Sequence, residues 1–324
     1  MMSEIHHRTV HVDGTGVFVR EAGDPARPTL VLLHGFPSSS RQYVRLIDRL
    51  AGGWHVVAPD YPGFGLSDPL PTSPTFDRLA EVTGGVIDAL GVDRYGLYLF
   101  DFGAPVGFRV SLAHDRRVRA VVVQNANAYR EGFGPGAAAL AAWWADRQGA
   151  QAAADDLVSL AGTRAQWLAG ARDPAHVDPS QYLADQAILD LPGRARYMQD
   201  LLWDYRHNLD RYGEFQSWLR RRAPGLLAVW GANDPIFPAA AARAYRADVP
   251  DAEIVLLDTG HFALEEEVDA VATAVDAFLV RHLTSTGDIP VGGTSTGDIP
   301  VGGALGGTAT AAGGWPRGPV RPAR

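Results

Sequence analysis

The stretch "LYLFDFGAPVG", Leu97 to Gly107, is apolar until it breaks on one carboxylate, Asp101. An ionised acid between Phe100 and Phe102, at the end of a strand expected to be buried, is unfavourable unless something satisfies it or uses it. Two uses fit. Asp101 can cap the helix expected from Gly103, or it can be a nucleophile on a sharp strand–turn–helix bend of the kind usually written G-x-S-x-G. Gly103 supplies the small residue two positions after it, whereas Leu99 occupies the position two before, where a small residue is usual. "VWGANDPIFP" then places Asp234 just past a strand, and "LDTGHFALEEE" places His261 in a loop preceded by glycine. Each has a plain structural explanation by itself: a turn acid before Pro235 and a packed histidine. Taken together they give the order nucleophile, acid, base, with Asp234 able to orient His261 and stabilise its imidazolium. "HGFP", 34–37, ends an earlier strand, and the backbone N–H groups of Phe36 and Phe102 are candidates for an oxyanion hole.

Those residues need a frame that brings four strand ends together. "RTVHVDGTGVFVR", 8–20, reads as two short strands around a glycine turn. "TLVLLHGF" (29–36), the run at 95–100 and "VRAVVVQNA" (118–126) read as strands, the first being continuously apolar as in a parallel strand buried on both faces, and "HVVAPDYPGFG" (55–65) reads as a strand running into a Gly/Pro loop. Helices are expected over 40–51, 75–91 and 103–114. The alternation predicts a mostly parallel sheet with helices on both sides. It lapses over 129–222, where every periodic segment is helical, and resumes with "GLLAVWG" (225–231), a helix near 238–247, "AEIVLLD" (252–258) and a closing helix at 262–282. The expected organisation is therefore a core in two parts, 1–128 and 223–283, with a helical cap, 129–222, over the carboxyl edge of one sheet. From 284 to 324, "TSTGDIPVGG" occurs twice in tandem ahead of a Gly-, Ala- and Pro-rich end, a composition that predicts a disordered tail.

Composition narrows the function classes. The chain has 324 residues, 46% of them hydrophobic, and a net charge of −8, which disfavours nucleic acid as a partner. Its 29 basic residues are all Arg, and it has no Cys, so disulfides and thiolate metal sites are excluded. "MMSEIHHRTV" lacks an apolar signal core and no run of apolar residues is long enough to span a membrane, so a cytoplasmic location and no membrane partner are expected. Nothing indicates an oligomeric state.

With "LLHGFP", "APDYPGFGLSD", the Asp101 bend, "WGANDPIF" and "TGHFALEE" in this order, residues 8–282 resemble the α/β-hydrolase fold superfamily. An Asp at the bend is similar to the branch holding epoxide hydrolases and haloalkane or haloacetate dehalogenases. The chemistry explains the residue type: a carboxylate attacking saturated carbon gives an ester that activated water can cleave, whereas Ser would give an ether. The resemblance implies Asp101 as nucleophile, His261 as base and Asp234 as acid, with no metal and no organic cofactor. Some relatives place the acid after the strand ending near 124, where this chain has Asn125, with Glu131 farther on. Haloalkane dehalogenases use a Trp directly after the nucleophile, and commonly an Asn in the HGxP turn. Phe102 and Phe36 stand there instead, and the Arg that haloacetate dehalogenases carry near the nucleophile has no counterpart before Arg109. Epoxide hydrolases supply a cap Tyr to the epoxide oxygen, and "LLWDYRHN" resembles the stretch carrying it, which points to Tyr205, with Tyr212 the weaker alternative. Trp143 and Trp144 occupy the region of the second cap donor and are expected either to assist that oxygen or to wall the pocket. The implied activity is opening of an apolar or aromatic epoxide to a vicinal diol, in a pocket walled by Phe36, Phe102, Trp143 and Trp144. The alternatives are a dehalogenase and a non-catalytic ligand-binding relative.

Overall fold

A computed structural model describes residues 4–284 of the chain. A hairpin opens it, β1 (Ile5–Val12) and β2 (Thr15–Ala22), turning at Asp13 and Gly14, both at positive φ. There follow β3 (Thr29–Leu33), α1 (Val44–Leu50), β4 (His55–Pro59), α2 (Phe76–Ala89), β5 (Tyr95–Phe100), α3 (Gly103–Ala113) and β6 (Val118–Gln124). Six helices come next: α4 (Ala138–Ala145), α5 (Gln151–Leu157), α6 (Leu160–Leu168), α7 (Pro179–Leu189), α8 (Arg194–Asp204) and α9 (Arg206–Arg222). β7 (Gly225–Gly231), α10 (Ala239–Ala244), β8 (Glu253–Leu257) and α11 (Leu264–Leu283) complete the described residues. The eight strands form one sheet in the order β1-β2-β4-β3-β5-β6-β7-β8. β1–β2 and β2–β4 pair antiparallel, and every other pairing is parallel.

The apolar runs explain the layers. Every residue of β3, β4 and β5 is buried, because side chains that alternate between the two faces meet helices on both. Val31, Leu33, Leu97, Leu99, Val121 and Val123 face one core with α2 and α3. Leu30, Leu32, Tyr98, Phe100 and Val122 face the other with α1 and α11. The expected strand 29–36 ends early, and the strand opening 55–65 gives way to its expected Gly/Pro loop, both for polar reasons. β3 stops at Leu33 because the His34 ring turns back to accept from Tyr61 N at 3.0 Å. β4 stops at Pro59 because the Asp60 carboxylate accepts from Ser40 N at 2.7 Å and Leu66 N at 2.9 Å, wrapping the next loop around itself.

Among the described residues, only helices lie between β6 and β7. Specific ties dock them on the sheet's carboxyl edge. Asp204 accepts from Phe76 N at the start of α2 (2.8 Å), while towards the opposite edge, near the end of α9, Trp218 Nε1 donates to Asp115 (2.8 Å), just past α3. His261 N donates to Ala169 O (2.9 Å), while the Trp167 ring stacks on Phe262 at 3.8 Å. Of the expected disordered tail only Thr284 is described; the tandem repeat lies outside the described residues. Among the described residues no helix is long and apolar enough to cross a membrane.

Leu99, the departure from the usual small residue, is accommodated from α3: a β-carbon at Gly107 would lie 2.2 Å from Leu99 Cδ2. Gly107→Ala should therefore overpack this contact and destabilise by about 1–3 kcal/mol, read as a lower urea midpoint. Adding Leu99→Ala should make the double variant markedly less destabilised than the sum of the singles. Strict additivity would show that Leu99 and Gly107 do not share the space.

Candidate active site

β5 ends at Phe100 and α3 begins at Gly103, so the chain must reverse within two residues. Asp101 takes the strain, with φ at +50°, a region that residues with a β-carbon rarely enter. The residue is only 7% exposed. Phe36 N donates to Oδ1 at 2.7 Å, and the Phe102 N–H acts on the same carboxylate. Gly35 makes this approach possible, since a β-carbon there would fall 2.3 Å from Asp101 Cβ. Burial nonetheless outweighs the help from His261 and the two amides, and raises the Asp101 carboxyl to about 6.

His261 is fully enclosed in the loop between β8 and α11. Its Nδ1 pairs with Asp234 Oδ2 at 2.7 Å, leaving Nε2 towards Asp101, 3.9 Å from Oδ2. Burial acts to lower its pKa, but the neighbouring Asp234 charge and hydrogen bond, with Asp101 adding, carry it above the ordinary histidine value. Asp234, on the turn after β7, is satisfied on every side. Ile236 N donates to Oδ1 at 2.7 Å, and Asn125 Nδ2 joins His261 on Oδ2 at 2.8 Å. The fold thus brings the three residues together at three strand ends, with one acid hydrogen-bonded through both oxygens to three donors and the other's Oδ2 turned towards His261.

Asn125 was singled out in the sequence only as a position lacking an acid, yet it fastens the acid loop. At φ +42° just past β6, it donates to Gly231 O (3.1 Å), accepts from Gly231 N (2.9 Å) and donates to Asp234. Glu131 lies in a short helical turn, Arg130–Gly132, and is exposed. Its placement gives no reason to assign it the acid's role.

Tyr205 sits at the break between α8 and α9, buried to 2% exposure. Its ring packs on Phe102 (5.5 Å), Phe76 (5.4 Å), Phe133 (6.1 Å) and Trp144 (5.6 Å). Its hydroxyl and that of Tyr212 lie close enough to influence each other without reaching hydrogen-bond geometry, and neither has a hydrogen-bond partner among the described residues. Burial raises both phenols, which stay protonated, and both respond to the Asp101 charge. Spacing held the signal for Tyr212: seven residues along one helix return to the same face.

The donor role expected of Trp143 and Trp144 does not survive. Trp143 Nε1 donates to Arg147 O at 3.1 Å and Trp144 Nε1 to Leu202 O at 2.9 Å, so both indole N–H groups are committed to backbone carbonyls. Trp144 still walls the site by stacking on Tyr205, whereas Trp143 packs against Trp203 (5.3 Å) within the helices. Phe36 and Phe102 line the base of the site, their rings 5.7 Å apart. Arg109 is likewise occupied: Nε donates to Asp77 at 2.5 Å and Nη1 to Pro105 O at 3.0 Å.

The Asp101 environment has a measurable consequence for stability. Its pKa in the folded chain, about 6, lies above the ordinary 3.8, so folding favours the protonated form and the contribution of the charge becomes less favourable as pH rises between those values. Asp101→Asn is expected to raise stability by about 2–3 kcal/mol at pH 8, a gain that shrinks to nothing near pH 4 in chemical denaturation. Equal stability of the two proteins at pH 8 would contradict this account of the carboxylate.

The family described as alpha/beta hydrolase fold matches residues 28–268. An uncharacterized hydrolase of Saccharomyces cerevisiae, YNR064C, is 39% identical over 279 residues, covering 83% of this chain and 95% of the relative. Epoxide hydrolase A of Mycobacterium tuberculosis is 37% identical over 117 residues, 35% of this chain and 36% of the relative. Among solved structures, a variant of the haloalkane dehalogenase DatA from Agrobacterium tumefaciens shares the fold with a TM-score of 0.73 at 19% identity, covering 86% of this chain and 97% of that one. The chain therefore belongs to the alpha/beta hydrolase family and is a hydrolase.

Proposed function

We propose that this hydrolase opens epoxides through an ester on Asp101 and releases a vicinal diol. The observation that carries the proposal is the Tyr205 hydroxyl: buried, without a hydrogen-bond partner among the described residues, and on a ring packed against Phe102, whose N–H backs the carboxylate. An epoxide oxygen needs a neutral donor opposite the attacking carboxylate, and a phenol held protonated by burial supplies one.

In this proposal Asp101 Oδ1 is held by Phe36 N, so Oδ2 attacks a ring carbon as the C–O bond breaks. The departing oxygen takes the Tyr205 proton, with Tyr212 beside it. Oδ1 becomes the ester carbonyl already seated on the Phe36 amide. His261 Nε2 then removes a proton from water as the water attacks the ester carbon, and the Phe36 and Phe102 amides take up the negative charge of the tetrahedral intermediate. Collapse breaks the ester C–O bond, the leaving alkoxide takes the proton left on the added hydroxyl, and the Asp101 carboxylate and the diol are released. Asp234 stabilises the imidazolium, whose proton restores the Tyr205 phenol directly or through solvent. The helices between β6 and β7 serve as the cap that excludes water from the first step, and their aromatic wall suits an unsaturated or aryl epoxide.

Departure of a halide instead would call for N–H or guanidinium donors near Asp101. The two candidate indoles are committed to Arg147 and Leu202, and Arg109 to Asp77 and Pro105, which disfavours dehalogenation. Intact mass of His261→Gln after incubation with styrene oxide should show a gain equal to the whole epoxide, absent when Asp101→Asn is added. An alkyl gain with halide release from a haloalkane panel, and none from epoxides, would replace the proposal with a dehalogenase. Tyr205→Phe should slow ester formation about 10²–10⁴-fold. Because Asp101 must be ionised to attack, the single-turnover rate of ester formation should fall as pH drops through about 6. A rate flat from pH 5 to pH 8 would contradict the assignment of the nucleophile.

A further inference from the structure

One face of α9 carries polar groups that the ring-opening chemistry does not use. Continuing from Tyr205, which has helical backbone angles, the next turns place Asn208 and Tyr212 on the same inward face, at spacings of three and seven. Asn208 is fully buried, at 0% exposure. Neither its Nδ2 nor its Oδ1 has a hydrogen-bond partner among the described residues. An amide closed off from solvent at both ends is unfavourable and rare in folded proteins unless something supplies the missing bonds. Its neighbours on the face, one turn to either side, are the two hydroxyls that respond to the Asp101 charge. Asn208 therefore lies on the helix face that carries both hydroxyls, and a substrate bound against that face is the partner that would complete its amide.

Resting on the epoxide proposal above, we infer that Asn208 is a specificity-determining residue that reads a second polar group on the substrate. An amide offers a donor and an acceptor side by side, so the group it fits both accepts and donates: a hydroxyl or carboxamide on a carbon near the oxirane. The preferred substrate is then a hydroxylated or amide-bearing epoxide with an apolar remainder against the aromatic wall, not a pure hydrocarbon epoxide. Tyr205 takes the ring oxygen and Asn208 fixes which way round the molecule lies, since the oxirane and the second group are read from adjacent turns of one helix. A site built to pair a substrate hydroxyl discriminates strongly against an analogue without it, because the amide is then left buried and unpaired.

The test compares two matched pairs in which ethyl replaces hydroxymethyl: glycidol with 1,2-epoxybutane, and 3-phenylglycidol with 2-ethyl-3-phenyloxirane. Wild type should turn over the hydroxyl member of at least one pair with kcat/KM higher by about tenfold or more. Asn208→Leu, close in volume and without hydrogen-bonding groups, should collapse that ratio towards one by losing the hydroxyl member while retaining the ethyl member. Equal kcat/KM within both pairs for wild type overturns the inference without reference to any variant. So does an Asn208→Leu enzyme in which both members fall together. Intact mass of His261→Gln with the same four compounds separates the two levels. Adducts from both members at equal rates leave ester formation standing and remove the role of Asn208, whereas no adduct from any of the four removes the epoxide proposal and this inference with it.

Discussion

The carboxyl edge of the sheet is organised around a buried charge, the Asp101 carboxylate, that the fold leaves only partly compensated. The same residue type occurs twice within the site and meets opposite fates. Asp234 receives Ile236 N, Asn125 Nδ2 and His261 Nδ1, so both its oxygens are engaged and it is suited to anchor the histidine. Asp101 is held through Oδ1 by Phe36 N, and its other oxygen stays 3.9 Å from His261. Two carboxylates in one site with different hydrogen-bonding surroundings can take different tasks. In the proposed mechanism this unfavourable environment is what drives Asp101 to react, and the surrounding packing has to hold it in place.

That packing is aromatic and comes from both layers. Phe102 touches Phe36, Phe64 and Phe76 from the core and Tyr205 from the inserted helices. The ring that carries the candidate acid is therefore clamped against the residue that follows the candidate nucleophile. Asp204, next to Tyr205 in sequence, ties the same helix junction to the start of α2. These contacts couple the position of a hydroxyl at the α8–α9 junction to that of a carboxylate just past β5, although the two are over a hundred residues apart. An edge-to-face and offset network of this kind is rigid because each ring fills space that its neighbours cannot vacate.

Much of this was legible before any coordinates. Long apolar runs ending on Gly or Asp located the strand ends, and with them Asp101, Asp234 and His261, because a parallel strand buried on both faces leaves a strong signal in sequence. What failed was anything decided by a side chain's neighbours. Trp143 and Trp144 carry N–H donors, but which acceptor each meets depends on how α4 packs, and both meet backbone carbonyls. Asn125 and Asn208 are ordinary in composition and spacing. Only the fold reveals that one fastens the acid loop and that the other is buried with both ends of its amide unpaired. Leu99, a departure from the usual pattern, is absorbed by Gly107 eight residues later, a compensation visible only once β5 and α3 are packed together.

The central claim is that Asp101, and not water, makes the first bond to the substrate. A single turnover in H2(18)O, with enzyme in excess over styrene oxide, separates the two directly. If Asp101 attacks, the diol from that turnover carries an unlabelled oxygen taken from the carboxylate, and the label appears in the peptide containing Asp101. Label in the diol with an unlabelled Asp101 peptide would show that water attacks the epoxide directly and would contradict the account.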